Sequence, residues 1–195
     1  NRSEASWFID FAAFGVDPLG DAVPQTPWDI SRSMETGSIQ IRHARDDDYE
    51  AIWNMLEPVF RAGDTYAIDP NISRADALAY WTAHHVYVAE LNGEAVGTYY
   101  IRPNQQGGGA HICNCGYITA RGSEGRGVAR AMLTFSLVEA RKLGFEAMQY
   151  NFVLANNTRA IATWFKAGFK EIGRIPRAFK SGEDYIDALI LYRAL

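Results

Sequence analysis

The chain has 195 residues, 48% of them hydrophobic and 22% charged, with a net charge of -4. That composition describes one globular domain large enough to bury a core. It excludes a general electrostatic attraction to nucleic acid or to an anionic membrane, so any anion site has to be local, and no apolar run is long enough to span a bilayer.

Residues 1–37 read differently from the rest. They are broken by Gly and Pro and lack the basic start and continuous apolar core of a signal peptide. Gly37-Ser38, just before a strand-like start, resembles a cloning junction. Residues 1–37 are therefore read as an extension, vector-derived or trimmed, and residues 38–195 as the domain. Trp7, Phe8, Ile9, Phe11 and Phe14 are expected to bury themselves against something.

From Ser38 the elements follow in order. "SIQIRHA" alternates as a strand does. "DDDYEAIWNMLEPVF" places acids in a first turn and Ile52, Leu56, Val59 and Phe60 on one helical face. Pro58 is expected to kink that helix or end it early. "GDTYAIDPNIS" is a loop, and Ser73 caps a second helix, "SRADALAYWTAH". "HVYVAELNGEAVGTYYIR" is a hairpin turning at Asn92-Gly93. The glycines of "PNQQGGGA" precede no helix, so they join two strands rather than cradle a phosphate. "HICNCGYITA" is the next strand.

Cys113 and Cys115 there share one face, which disfavours a disulfide between them. His43, His84, His85 and His111 are scattered, so reduced cytosolic thiols and no metal site are expected. "SEGRGVARAMLTFSL" opens a helix ending at Gly144. "EAMQYNFVL" is a strand, with Met148, Tyr150, Phe152 and Leu154 on one face and Gln149 and Asn151 on the other. "NNTRAIATWFKA" is a helix closed by Gly168, its stripe Ala160, Ile161, Trp164 and Phe165 assigned mostly to the core. "FKEIGRIP" and "DYIDALILYRAL" are the last strands. The class is α/β, with a mixed central sheet of about seven strands and about four flanking helices.

The chemistry concentrates in "SEGRGVARAML". A helix N-terminus carries N–H groups without intrahelical partners and the positive end of the dipole, and binds phosphate readily. Gly125 and Gly127 allow close backbone approach, and Ala129 keeps the first turn thin. Arg126 and Arg130 can each add a charge-assisted contact of about 1.5–3 kcal/mol. The Gly-Lys-Ser/Thr of a P-loop is missing, as is the acidic residue of a dinucleotide site. Two amides stand out as well. Asn151 shares its polar face with Gln149 in mid-strand and is read as aimed into a site. Asn114, oriented opposite to its flanking cysteines, is either a satisfied buried amide or part of that site.

The element order, with "SEGRGVARAML" after "GYITA", resembles the GCN5-related N-acetyltransferases (GNAT), which bind acetyl-CoA. Their signature, Gln/Arg-x-x-Gly-x-Gly/Ala, falls on Glu124, Gly127 and Ala129. Glu124 departs from it, which questions Glu124 as a ligand but not the backbone cradle from Gly125 through Val128 to Arg130. The resemblance implies that the backbone of Tyr117 and Thr119 holds the pantetheine arm, that a splay beyond that strand admits the thioester, and that Asn157 lies near the CoA arm. More narrowly, "GDTYAIDP", "PNQQGGGAHICNCGY", "MQYNFV" and "DYIDALILYR" look like the proline-analogue N-acetyltransferases, which acetylate azetidine-2-carboxylate.

That likeness implies a small-molecule amine acceptor bound by Thr65, Tyr66 and Asn114, with Asn114 and Asn151 serving catalysis. Acetyl-CoA is then a co-substrate, and the enzyme a cytoplasmic homodimer with no nucleic acid or membrane partner. Relatives place a proton-donating Tyr where this chain has Trp164, so Trp164 is expected to pack beside the CoA arm and donate no proton. Asp187, Tyr66 and a water held by Asn151 stand as candidate bases. A non-catalytic acyl-CoA-binding module and a protein or polyamine acetyltransferase are the alternatives.

Overall fold

The computed structural model describes residues 38–195. The extension 1–37 and the expected burial of Trp7, Phe8, Ile9, Phe11 and Phe14 lie outside the described residues. Strand β1 (Gln40–His43) leads through a 3-10 turn (Asp46–Asp48) into helix α1 (Tyr49–Ala62), and helix α2 (Arg74–Thr82) follows. Strands β2 (His85–Leu91), β3 (Glu94–Pro103) and β4 (Ile112–Thr119) come next. Then helix α3 (Val128–Lys142), strand β5 (Ala147–Leu154), helix α4 (Thr158–Lys166) and strands β6 (Lys170–Ser181) and β7 (Asp184–Ala194) complete the chain.

The seven strands form one sheet in the order β1-β2-β3-β4-β5-β7-β6. Every neighbouring pair is antiparallel except β4–β5. Alternation divides each strand between two cores. Tyr87, Tyr99 and Cys115 join Met132 and Leu133 of α3 in one, while Val88, Tyr100 and Ile118 join Leu56, Phe60 and Trp81 of α1 and α2 in the other. Helices thus cover both faces. Local signals act as their chemistry requires: Ser73 Oγ accepts the Asp76 N–H at the start of α2, and Asn92 and Gly93 turn the β2–β3 hairpin at φ 55° and 81°.

Three expectations need correction. Of the kink or early end expected at Pro58, the early end does not occur, and helix α1 continues to Ala62. Pro58 and Asn54 both lie on its exposed face, where the Asn54 carbonyl that Pro58 cannot bond is open to solvent. The alternation of β5 breaks at a register shift between Tyr150 and Val153. The extra residue of that bulge puts Val153 in the core with Tyr150, and Phe152 instead stands 6.4 Å from the Phe179 ring. The α4 stripe is only partly core: Ile161 and Trp164 are half-buried against it, and Phe165 is 45% exposed. Helix α4 borders an open cleft, which leaves its outer turns without a covering layer.

The parallel β4–β5 pairing consists of Ile112 with Ala147 and Cys113 with Met148. Beyond those pairs the two strands part, and a cleft opens along that splay.

Candidate active site

Strand β4 turns one edge of its backbone to β3 and the other to the splay. Asn104 N–H bonds Ile112 C=O, and Ala120 N–H bonds Val96 C=O. Even-numbered residues of β4 therefore pair with β3, and the N–H and C=O of Tyr117 and Thr119 point into the gap. At Tyr117 both groups are taken by one side chain. The Tyr66 hydroxyl accepts from Tyr117 N–H and donates to Tyr117 C=O, each at 3.0 Å. Tyr66 comes from the α1–α2 loop, and its ring packs edge-on against Phe60 and Trp81 at 5.8 and 6.0 Å. Burial pushes its phenol well above the ordinary tyrosine range, so it stays neutral.

A cleft of about 1220 Å³ runs along this gap. On the α3 side it meets the glycine loop. Gly127 caps the helix in the left-handed region at φ 84°, where only glycine is unstrained, and Gly125 has φ 79°. A Cβ at Gly127 would meet no protein atom within 4 Å, so the space before it is open. Ala131 N–H to Gly127 C=O is the first helical bond, which leaves the N–H groups of Val128 and Ala129 without a partner inside the helix. Arg130, Arg159 and Lys166 border the cleft from the two helices. Glu124 answers its own departure from the signature by folding back: its carboxylate accepts the Gly122 N–H at 2.8 Å.

Of the residues singled out in the sequence, Thr65, Tyr66, Asn114, Asn151 and Asn157 border the cleft, as do Tyr117 and Thr119. Gly125, Gly127, Val128, Ala129 and Arg130 do so too, whereas Arg126 is exposed and stands outside the lining. Asn157 caps α4, accepting the Ala160 N–H at 3.4 Å. Thr65 Oγ1 donates to Asp64 at 3.0 Å. Asn114, 8% exposed, sits where the strands part. Its amide donates to Gln149 C=O across the gap at 2.9 Å, and its oxygen accepts from the Tyr100 hydroxyl at 3.3 Å. Asn151 is exposed and belongs to a polar ladder, accepting from Gln149 Nε2 at 2.9 Å and donating to Asn104 Oδ1 at 2.6 Å.

Asp187 leaves the set of candidate bases. It does not border the cleft, and its carboxylate accepts from Arg177 N–H at 2.9 Å and from Arg174 at 3.4 Å. The Arg177 amide, with Arg174 beside it, holds its pKa below the ordinary range, so the carboxylate is a weak base. Trp164 borders the cleft with its ring 5.1 Å from that of Tyr150, a packing contact. Among the described residues, no group of three or more His, Cys, Asp and Glu could hold a metal ion.

Sequence reasoning missed Tyr150, Tyr80, Tyr100 and Arg102, all of which border the cleft. Tyr150 forms its floor with Tyr117. The two hydroxyls are 3.1 Å apart, and Tyr117 also meets Ser136 at 2.7 Å. Tyr100 and Arg102 could have been read from "YYIRP", because alternation puts them on the face of Asn114, the Cα partner of Arg102.

Comparisons with known proteins bear on the family and the fold. The model of the acetyltransferase (GNAT) family matches residues 42–169. N-acetyltransferase aca1 of Schizosaccharomyces pombe is 34% identical over 97 residues, covering 49% of this chain and 46% of that protein, so the chain spans about half the length of that relative. The structure of a GCN5-related N-acetyltransferase from Kribbella flavida superposes with a TM-score of 0.77 at 33% identity, covering 80% of this chain and 98% of that one. A phosphinothricin acetyltransferase from Sinorhizobium meliloti, solved in complex with acetyl-CoA, shares the fold at a TM-score of 0.72 and 18% identity, over 80% and 88% of the two chains.

Proposed function

The chain belongs to the acetyltransferase (GNAT) family, and from that premise we propose that it moves the acetyl group of acetyl-CoA to the amine of a small molecule, an amino or ring imino acid. The observation that carries this reading is the joining, in one cleft, of an open helix N-terminus at Gly127 to a strand edge that turns into the splay the N–H and C=O of Thr119 and those of Tyr117, which the Tyr66 hydroxyl bridges until a ligand displaces it. The first suits a pyrophosphate, and the second suits a pantetheine amide or a thioester carbonyl. We take residues 38–195 as the catalytic domain.

The chemistry is direct acyl transfer. The neutral amine attacks the thioester carbonyl while a backbone N–H at the splay stabilises the developing oxyanion. The CoA sulfur leaves as a thiolate, which an ordinary thiol pKa of about 8.5 permits near neutral pH without a proton donor at Trp164. Of the bases considered, Asp187 lies outside the cleft and Tyr66 is neutral and engaged. A water beside Asn151 is the acceptor that remains.

Two further parts of the reading have support. Cys113 and Cys115 are free and buried, as suits a reducing cytoplasm. No helix among the described residues is long and apolar enough to cross a membrane. Exposed Ile172, Ile175 and Tyr185 on the β6–β7 hairpin offer a homodimer an apolar surface.

The test is release of free thiol from acetyl-CoA across amino acids, ring imino acids, polyamines and peptides. Fastest release with the amino or imino acids is expected. Acetyl-CoA binding without release on any of them would make the chain a non-catalytic module. Preference for polyamines or peptides would overturn the acceptor class.

A further inference from the structure

We propose that Arg102, with Tyr80 beside it, receives the carboxylate of the acceptor and makes the enzyme selective for small amino acids over amines that lack an acid group. The proposal rests on the acetyl-transfer reading above and deepens it.

Arg102 lies near the end of β3 and borders the cleft. Its guanidinium carbon stands 4.8 Å from the Tyr80 ring centre and 4.6 Å from that of Tyr100. One nitrogen donates to the Tyr80 hydroxyl at 3.1 Å. The two rings fix the cation and leave most of its donors unused, since a guanidinium carries five N–H groups. Among the described residues no carboxylate pairs with it. Arg42 and Arg174, by contrast, each hold two carboxylates. A stacked arginine on a cleft wall with its own counter-ion absent is matched to an anion from outside, and its planar fork fits a carboxylate with two parallel bonds.

The neighbours fit the same ligand. The Tyr80 hydroxyl accepts from Arg102, so its own proton remains to be donated. Asn114, across the ladder from Arg102, has a second amide N–H beyond the one given to Gln149. A carboxylate taken by these three donors would leave an amine one carbon away directed along the cleft toward the splay at Tyr117. A polyamine would meet a like charge at the same place.

Azetidine-2-carboxylate and proline, each compared with its carboxamide, test this in wild type, Arg102→Gln, Arg102→Lys and Tyr80→Phe, with acetyl-CoA affinity measured by calorimetry. Wild type should favour the acids in kcat/KM by at least about tenfold. Arg102→Gln should raise the KM of the acids about 10- to 100-fold, with the carboxamides and the acetyl-CoA Kd within about twofold. Arg102→Lys should recover part of the loss, and Tyr80→Phe, which keeps the ring under the cation, should cost a few-fold for the acids alone. No preference in wild type, or equal slowing of acids and carboxamides in Arg102→Gln and Tyr80→Phe, would overturn the proposal. If wild type turns over neither kind, the acetyl-transfer reading for these acceptors fails. The receptor then stands or falls on thermal shift: the acids, and not the carboxamides, must raise the Tm of the wild-type acetyl-CoA complex and leave Arg102→Gln unmoved.

Discussion

On the α3 side of the cleft the groups proposed to bind are backbone: the left-handed Gly127, and the N–H groups of Val128 and Ala129 behind it. On the α2 side they are side chains, with Tyr66, Tyr80, Tyr100, Arg102 and Asn114 set in a packed aromatic layer. The two sides tolerate change differently. A backbone cradle survives an unexpected residue nearby, as Glu124 shows by turning its carboxylate onto Gly122 N–H. A side-chain pocket depends on each neighbour's volume, because its atoms are placed by packing rather than by helix geometry.

The largest expected effect that separates the sides is at Gly116. A Cβ there would stand 2.6 Å from Cε1 of Tyr100. Tyr100 is buried, with Trp81 edge-on at 4.9 Å, and has little room to retreat. Gly116→Ala should cost about 1–3 kcal/mol by overpacking, a fall of several degrees in Tm. It should raise acceptor KM more than it weakens acetyl-CoA, and the reverse ranking would erase the distinction between the two sides.

Tyr66 is where the sides meet. Tyr66→Phe removes both bonds to Tyr117, leaving two inward polar groups unmet at about 1–3 kcal/mol. If acetyl-CoA takes over those groups, it should raise the Tm of Tyr66→Phe by more than it raises that of wild type. An equal or smaller rise would mean that the ligand never uses them. The smallest effect belongs to Trp164, whose ring packs on Tyr150 and the core around it. Trp164→Phe should keep kcat within a few-fold, and a loss of several hundred-fold at unchanged Tm and acetyl-CoA affinity would give the indole N–H a part in the reaction.

The same contrast explains what could be read from the chain. A glycine spacing followed by an amphipathic run is a local signal, so the loop at Gly125–Gly127 and the helix after it were legible. So were the Ser73 cap, the Asn92-Gly93 turn and the order of strands and helices, each set by neighbouring residues. What escaped depends on distant partners. Pro58 does not stop α1 because of the face on which it happens to lie. The bulge that removes Phe152 from the core belongs to the β5–β7 pairing. Asp187, a lone carboxylate in an apolar strand, could be read as a base or as a structural acceptor, and only its partners on β6 make it the second. Arg102 shares the face of Asn114 by alternation alone, but its bond to Tyr80, on another element, is one that no spacing within β3 reveals.

The central claim is that a backbone cradle at the start of α3 holds the anionic part of acetyl-CoA. Calorimetric titration of acetyl-CoA into wild type and Gly127→Val tests it most directly. Valine at φ 84° strains the loop and fills the open space before the helix. The expected result is a Kd raised by about an order of magnitude or more in a variant that remains folded, with Arg102→Gln unchanged in the same titration. Wild-type affinity in folded Gly127→Val would contradict the account and move the acetyl-CoA site away from that helix.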